Sequence, residues 1–209
     1  MRGQKRAWII GATLLAVAAA APRRSLAAPA GETPGAFRVG LNLVPEPFGQ
    51  FIVSRQLPVL GTVTVSNDTA FAFGFAPYVD YIVHPYLFLG FSPVYSINVK
   101  QDVSNGPSIT RGSAGQQLDL LIRAGGQFSL TRELQLYGYL APGYSVIMLP
   151  NTDNPSGFVL GFHAGAAYTV TSKLFANFEL GYQYGYQGVS DGDEKDEFFQ
   201  IGLGLGTHL

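Results

Sequence analysis

The chain has 209 residues, 13 Lys+Arg against 14 Asp+Glu, 26 Gly and no Cys. Absent cysteine excludes a disulfide scaffold, a thiolate metal site and a Cys nucleophile. A charged fraction of 13% is about half that of a typical soluble domain, and a formal net charge of −1 offers no basic surplus for nucleic acid.

The first segment reads as an address. Arg2, Lys5 and Arg6 precede the uncharged run Ala7–Ala21, and small residues follow Pro22. A basic n-region, an apolar h-region and an A-x-A-like site describe a secretory signal peptide. Cleavage is expected after Ala27 (Ser25-Leu26-Ala27), with Ala30 (Ala28-Pro29-Ala30) as the later alternative. The run is shorter than the ~20 residues of a spanning helix, which disfavours an uncleaved anchor. Removing Arg2, Lys5, Arg6, Arg23 and Arg24 from the 13 basic residues leaves 8 against 14 acidic, a net charge of −6.

A short segment, 28–35, leads to a region where apolar and polar residues alternate with period two, the pattern of a strand with two different faces. Eight such segments are predicted: 36–43, 69–80, 86–99, 116–128, 134–149, 157–169, 174–187 and 197–209. Most exceed the 5–6 residues usual in soluble strands and suffice to cross a bilayer at a tilt. In the fourth, Leu118, Leu120, Ile122, Ala124, Gly126 and Phe128 share one face, with Gln117, Asp119, Leu121, Arg123, Gly125 and Gln127 opposite. In the seventh, Leu174, Ala176, Phe178, Leu180, Tyr182, Tyr184 and Tyr186 oppose Phe175, Asn177, Glu179, Gly181, Gln183, Gly185 and Gln187.

The connections alternate in length. Tyr81-Ile-Val-His-Pro-Tyr-Leu87, Phe128-Ser-Leu-Thr-Arg-Glu-Leu134 and Tyr168-Thr-Val-Thr-Ser-Lys-Leu174 repeat one short-turn pattern. Segments 44–68, 100–115, 150–156 and 188–196 form longer connections. The apolar 44–68 stretch is left open among a hairpin beyond the membrane, a lid and a partner-binding surface. The carboxylates of Asp191–Glu197 read as a solvated acidic loop, without the spacing of a calcium-binding loop. Short turns alternating with long loops mark an outer-membrane barrel, and an even strand number places both termini in the periplasm. The expected fold is therefore all-β, an eight-stranded antiparallel up-and-down transmembrane barrel over 36–209.

Within it, Gly125, Gly161, Gly165, Gly181, Gly202, Gly204 and Gly206 are expected to make room in a narrow lumen. Tyr78, Tyr81, Tyr86 and Tyr182, Tyr184, Tyr186 are assigned to interfacial girdles. Arg38, Asp119, Arg123, Glu179 and His163 are the candidate lumen polar residues. Asp119 and Arg123 lie four residues apart on one face, about 13 Å, so each is expected to pair across the barrel. Three scattered His (His84, His163, His208) build no nucleophile–base constellation and a poor metal site; no catalytic, cofactor-binding or metal residue is assigned, no cofactor is called for and the chain reads as a non-enzyme.

The stretches LFLGFSPVYSINV (87–99), LQLYGYLAPGY (134–144), FANFELGYQYGYQ (175–187) and the closing FFQIGLGLGTHL resemble the OmpW/OmpA-type small outer-membrane β-barrels of Gram-negative bacteria. That resemblance implies a C-terminal insertion signal, here Phe199, Ile201, Leu203, Leu205 and the final Leu209, where the family usually ends in an aromatic residue. It implies outer-membrane lipids, lipopolysaccharide and the barrel-insertion machinery as partners. The expected role is a structural or interaction barrel with a mostly filled lumen; the alternatives are a narrow channel or binder for small hydrophobic molecules and, further off, a lipid-modifying enzyme.

Overall fold

The computed structural model describes residues 33–57, 61–100, 102–105, 108–111, 115–148, 154–189 and 192–209. The signal-peptide assignment and its cleavage site lie outside the described residues. Among the described residues ten strands are present: β1 (Phe37–Leu57), β2 (Gly61–His84), β3 (Leu87–Lys100), β4 (Asp102–Asn105), β5 (Ser108–Arg111), β6 (Gln116–Ser129), β7 (Leu134–Met148), β8 (Ser156–Thr169), β9 (Leu174–Val189) and β10 (Gly192–His208). Eight of them close an antiparallel barrel in the order β1-β10-β9-β8-β7-β6-β3-β2, while β4 and β5 form a separate small hairpin. The sheet closes by pairing the first strand with the last, from Arg38↔His208 to Arg55↔Gly192.

Closure and alternation have one cause. In hydrocarbon each backbone N–H and C=O must find a partner within the protein, so a sheet survives only without edges. Side chains then divide by parity into a lipid face and a lumen face. On β9, Phe175, Asn177, Glu179, Gly181, Gln183, Gly185 and Gln187 are all buried, whereas Leu174, Phe178, Leu180, Tyr182 and Tyr186 are exposed. On β6, Gln117, Asp119, Leu121, Arg123 and Gln127 are buried, and Leu120 and Ile122 are exposed. A 14-residue strand such as β6 rises about 46 Å and, at a tilt of about 40°, spans roughly 35 Å.

The repeated short-turn pattern has a physical basis. Its fourth residue caps the turn with a side-chain acceptor. Thr131 Oγ1 accepts from Glu133 N (3.2 Å) and Leu134 N (3.0 Å), and Thr171 Oγ1 accepts from Lys173 N (3.4 Å) and Leu174 N (3.1 Å). In the third copy His84 Nδ1 accepts from Tyr86 N at 3.3 Å. At the same end Gly35 adopts φ 96°, open to glycine at little cost, and its N–H donates to Ile82 O at 2.9 Å.

At the opposite end the structure corrects the expected connections. Of the readings left open for 44–68, the hairpin is the one observed: β1 and β2 run on, pairing from Ser54↔Thr64 to Leu57↔Gly61. At 24 residues β2 is 10 longer than the 14-residue β3. The β1–β10 ladder breaks between Leu43 and Phe48, where Pro45 and Pro47 have no N–H to donate. The expected loop 188–196 is also mostly strand, since β9 reaches Val189 and β10 starts at Gly192. β4 and β5 occupy part of 100–115.

The lipid-facing assignment predicts an asymmetry in stability. Ile122→Arg, within the outward belt, should cost about 2–4 kcal/mol, while Arg132→Ala in an exposed turn should cost under about 0.5 kcal/mol. Urea titration of protein refolded into lipid vesicles reads both; equal effects would contradict the assignment.

Candidate functional site

The lumen of an eight-stranded barrel is only wide enough to be filled by side chains or to hold one small ligand. Here Arg38, Asp119, Arg123, Glu179 and His163 all point inward and are buried. They do not form one cluster. Four of them meet in a tier toward the short-turn end, and Asp119 joins a second tier toward the long-connection end.

In the first tier Asp80 on β2 stands between two arginines. Arg38 on β1 donates to Asp80 Oδ2 through NH2 (2.9 Å) and Nε (3.3 Å). Arg123 on β6 places Nε 3.2 Å from Asp80 Oδ1, as an ion-pair contact. The cross-strand register explains the meeting, because Gly90 on β3 lies opposite both Asp80 and Arg123. A Cβ at Gly90 would run into the Asp80 carboxylate, so glycine there gives the acid its room. Arg38 also donates through NH1 to Gln127 Oε1 (3.2 Å) and Gln135 Oε1 (3.3 Å). The Arg123 guanidinium lies 4.2 Å from the ring centroids of both Tyr78 and Tyr139, an arrangement that stabilises a desolvated cation.

Glu179 on β9 completes the tier. Its Oε1 accepts from Tyr139 Oη (2.7 Å), and its Oε2 accepts from Tyr137 Oη (3.2 Å). His163 Nδ1 on β8 is 3.0 Å from Glu179 Oε1. The imidazole stacks on Tyr139 at 4.6 Å and 4°. It fits because Gly161 and Gly181 lie against it, where a Cβ would collide with the ring.

The second tier contains three buried carboxylates, Glu46, Asp119 and Asp196, held by glutamine carboxamides and, at Asp119, also by the Ser145 hydroxyl. Gln183 Nε2 donates to Asp119 Oδ2 (2.6 Å) and Gln117 Nε2 to Asp119 Oδ1 (3.0 Å). Gln117 Nε2 also reaches Asp196 Oδ2 (3.4 Å), and Gln187 Nε2 lies 3.2 Å from both oxygens of Asp196. Gln200 Nε2 links Glu46 Oε1 (2.7 Å) to Gln183 Oε1 (3.0 Å). In the first tier, Asn177 Nδ2 donates to Asn42 Oδ1 at 2.9 Å and reaches Tyr137 Oη at 3.4 Å.

Two assignments change. Asp196 belongs to the lumen and not to a solvated acidic loop, because β10 begins before it and parity turns it inward. Tyr78 is buried beside Arg123 and is no girdle residue; Tyr81, Tyr86, Tyr182 and Tyr186 do face outward. Glu179 is met by His163 on the adjacent strand and by tyrosines two strands away. As their spacing implies, Arg123 does not pair with Asp119; it pairs with Asp80, two strands from its own.

Asp80 was legible in principle, since it shares parity with Tyr78 and Ala76. Phe199, Leu203, Leu205 and Leu209 are exposed on the outer side of the closing strand, and Ile201 is half-buried. Of the remaining histidines, His84 caps a turn and His208 packs against Phe175 at 5.0 Å. Among the described residues no group of three or more His, Asp or Glu is placed to hold a metal ion.

With this geometry in place, comparisons with known proteins agree on the architecture. Residues 12–208 match the family model described as outer membrane protein beta-barrel domain. The crystal structure of the outer membrane protein OprG from Pseudomonas aeruginosa superposes with a TM-score of 0.58 at 16% identity, covering 87% of this chain and 99% of that one. The solid-state NMR structure of the outer membrane protein AlkL in DMPC bilayers gives 0.51 at 15% identity, covering 90% and 95%. At these identities the likeness is one of fold. Among curated proteins none matches.

The position of Asp80 carries a prediction. Asp80→Asn removes a carboxylate that contacts both buried arginines, and unpairing a buried charge costs about 3–5 kcal/mol. Equilibrium unfolding in vesicles should register that loss; a change below about 1 kcal/mol would show that Asp80 does not hold the tier together.

Proposed function

The chain belongs to the outer membrane protein beta-barrel domain family, and from that premise we propose that it is an integral outer-membrane barrel with a structural or interaction role and a lumen closed to solutes. The supporting observation is the first tier. Arg38, Asp80, Arg123, Tyr137, Tyr139, His163 and Glu179 come from β1, β2, β6, β7, β8 and β9, so their contacts reach across the bore from all sides. On this reading such a plug leaves no continuous aqueous path, and its buried charges are compensated where they stand.

On this reading the signal peptide delivers the chain to the periplasm, and both termini and the capped short turns stay there. The elongated β1–β2 hairpin then stands on the outer side and carries the interaction surface. Lipids and lipopolysaccharide cover the outward belt of Leu, Phe and Tyr. The insertion machinery reads the outward residues of β10, Phe199 to Leu209. No catalytic role is assigned.

A second reading, a binder or narrow route for small hydrophobic molecules, has one observation in its favour. At Val44–Pro47 the wall between β1 and β10 lacks ladder pairing, so the barrel is weakest beside the second tier.

Planar-bilayer recording separates the two. The sealed-lumen reading predicts no steady conductance from the wild type, and the appearance of ion current in the double variant Arg123→Ala/Tyr139→Ala, which removes the centre of the plug. Steady wild-type conductance, or uptake of an apolar dye by protein-containing vesicles only, would overturn it in favour of the second reading.

A further inference from the structure

Between the two tiers lies a cavity of about 20 Å³, lined in part by Asn42, Ser92, Arg123, His163, Glu179 and Gln200. A space of roughly 10–15 Å³ already admits one water. His163 is 9% exposed, and its Nε2 has no hydrogen-bond partner in the protein. Nδ1 also lacks an aligned hydrogen bond, but it lies 3.0 Å from Glu179 Oε1 as a charge contact. A buried polar atom of this kind is normally satisfied by protein or by ordered water.

We propose that this cavity is a binding site for a single ordered water that hydrogen-bonds His163 Nε2 and joins the two tiers of the lumen. The inference rests on the sealed-lumen reading, since a continuous water column would leave no discrete site. The lining selects the guest. Arg123 and Glu179 border the cavity together, so a bare cation and a bare anion each meet a like charge. The guest must also suit the imidazole in either protonation state. A neutral ring with its proton on Nδ1 offers Nε2 as an acceptor, and an imidazolium offers it as a donor. Water serves both, and its remaining bonds fall to the amides of Asn42 and Gln200 or the hydroxyl of Ser92. The volume admits nothing larger. With that molecule in place, the aromatic and ionic contacts of the first tier connect to the carboxamide chain of the second.

Solid-state NMR of the isotope-labelled full chain in lipid bilayers tests the site, with planar-bilayer conductance measured on the same preparation. The expected result is one water in slow exchange with bulk, correlated to His163 Nε2, in a non-conducting barrel. Ala76→Val, which adds carbon to the cavity wall, should abolish the correlation without opening a current. His163→Phe, which keeps a ring on Tyr139 but no nitrogen, should abolish it too. A non-conducting wild type with no slowly exchanging water at His163 would overturn the site and leave the seal standing. Rapidly exchanging water at His163 together with steady current would overturn both. The wild-type measurement decides the matter even if either variant fails to fold.

Discussion

The constraint on which this structure depends is that lipid cannot hydrogen-bond to a peptide group. Every strand in the hydrocarbon must find its partners in neighbouring strands, and the first must find the last. β1 does so with β10 while pairing on its other side with β2. From closure follow the two-residue alternation, the antiparallel order and the separation of the molecule into an apolar exterior and a polar interior. The low overall charge has the same origin, because half of each strand must face lipid.

Inside, the constraint is reversed. The bore is narrow, so polar side chains are buried as deeply as any protein core, and each must be matched. The chain uses two solutions. Toward the short turns, charges meet charges and aromatic faces: Arg38 and Arg123 on Asp80, Arg123 between two tyrosines, Glu179 under Tyr137, Tyr139 and His163. Toward the long connections, three carboxylates are held by glutamine carboxamides and the Ser145 hydroxyl. Glycine sets the geometry of both, since Gly90, Gly161, Gly181 and Gly185 lie where Asp80, His163 and Asp196 need space. Width, and not flexibility, is what these glycines supply.

Much of this was legible in the residues. Alternation places the eight barrel strands, and parity alone turns Asp119, Arg123, His163 and Glu179 inward. The capping position of the short turns was visible as a repeated His/Thr. Pairing was not legible, because Arg123 meets Asp80 only through the register of β2 on β3 and of β3 on β6, which no local pattern encodes. The upper ends of β1, β2, β9 and β10 escape the sequence pattern for a different reason. Beyond the lipid belt, outward residues no longer need to be apolar, so the contrast between faces fades although the strands continue. Glu46 and Asp196 lie in that zone, where the sequence pattern reads as loop and the structure continues as strand. Tyr78 shows the remaining ambiguity, since a tyrosine near a strand end suits a girdle or a lumen equally until its parity is read against Asp80.

The central claim is that one face of each strand meets lipid and the other a sealed polar interior. With no native cysteine, single Cys substitutions along 176–187 can carry spin labels in lipid bilayers without background. The account predicts that access to lipid-soluble oxygen alternates with period two, high at Ala176, Phe178, Leu180 and Tyr182. Labels at Asn177, Glu179, Gly181 and Gln183 should be shielded from both oxygen and a water-soluble relaxation agent. Ready access of the water-soluble agent to that second set, or the absence of alternation, would contradict it.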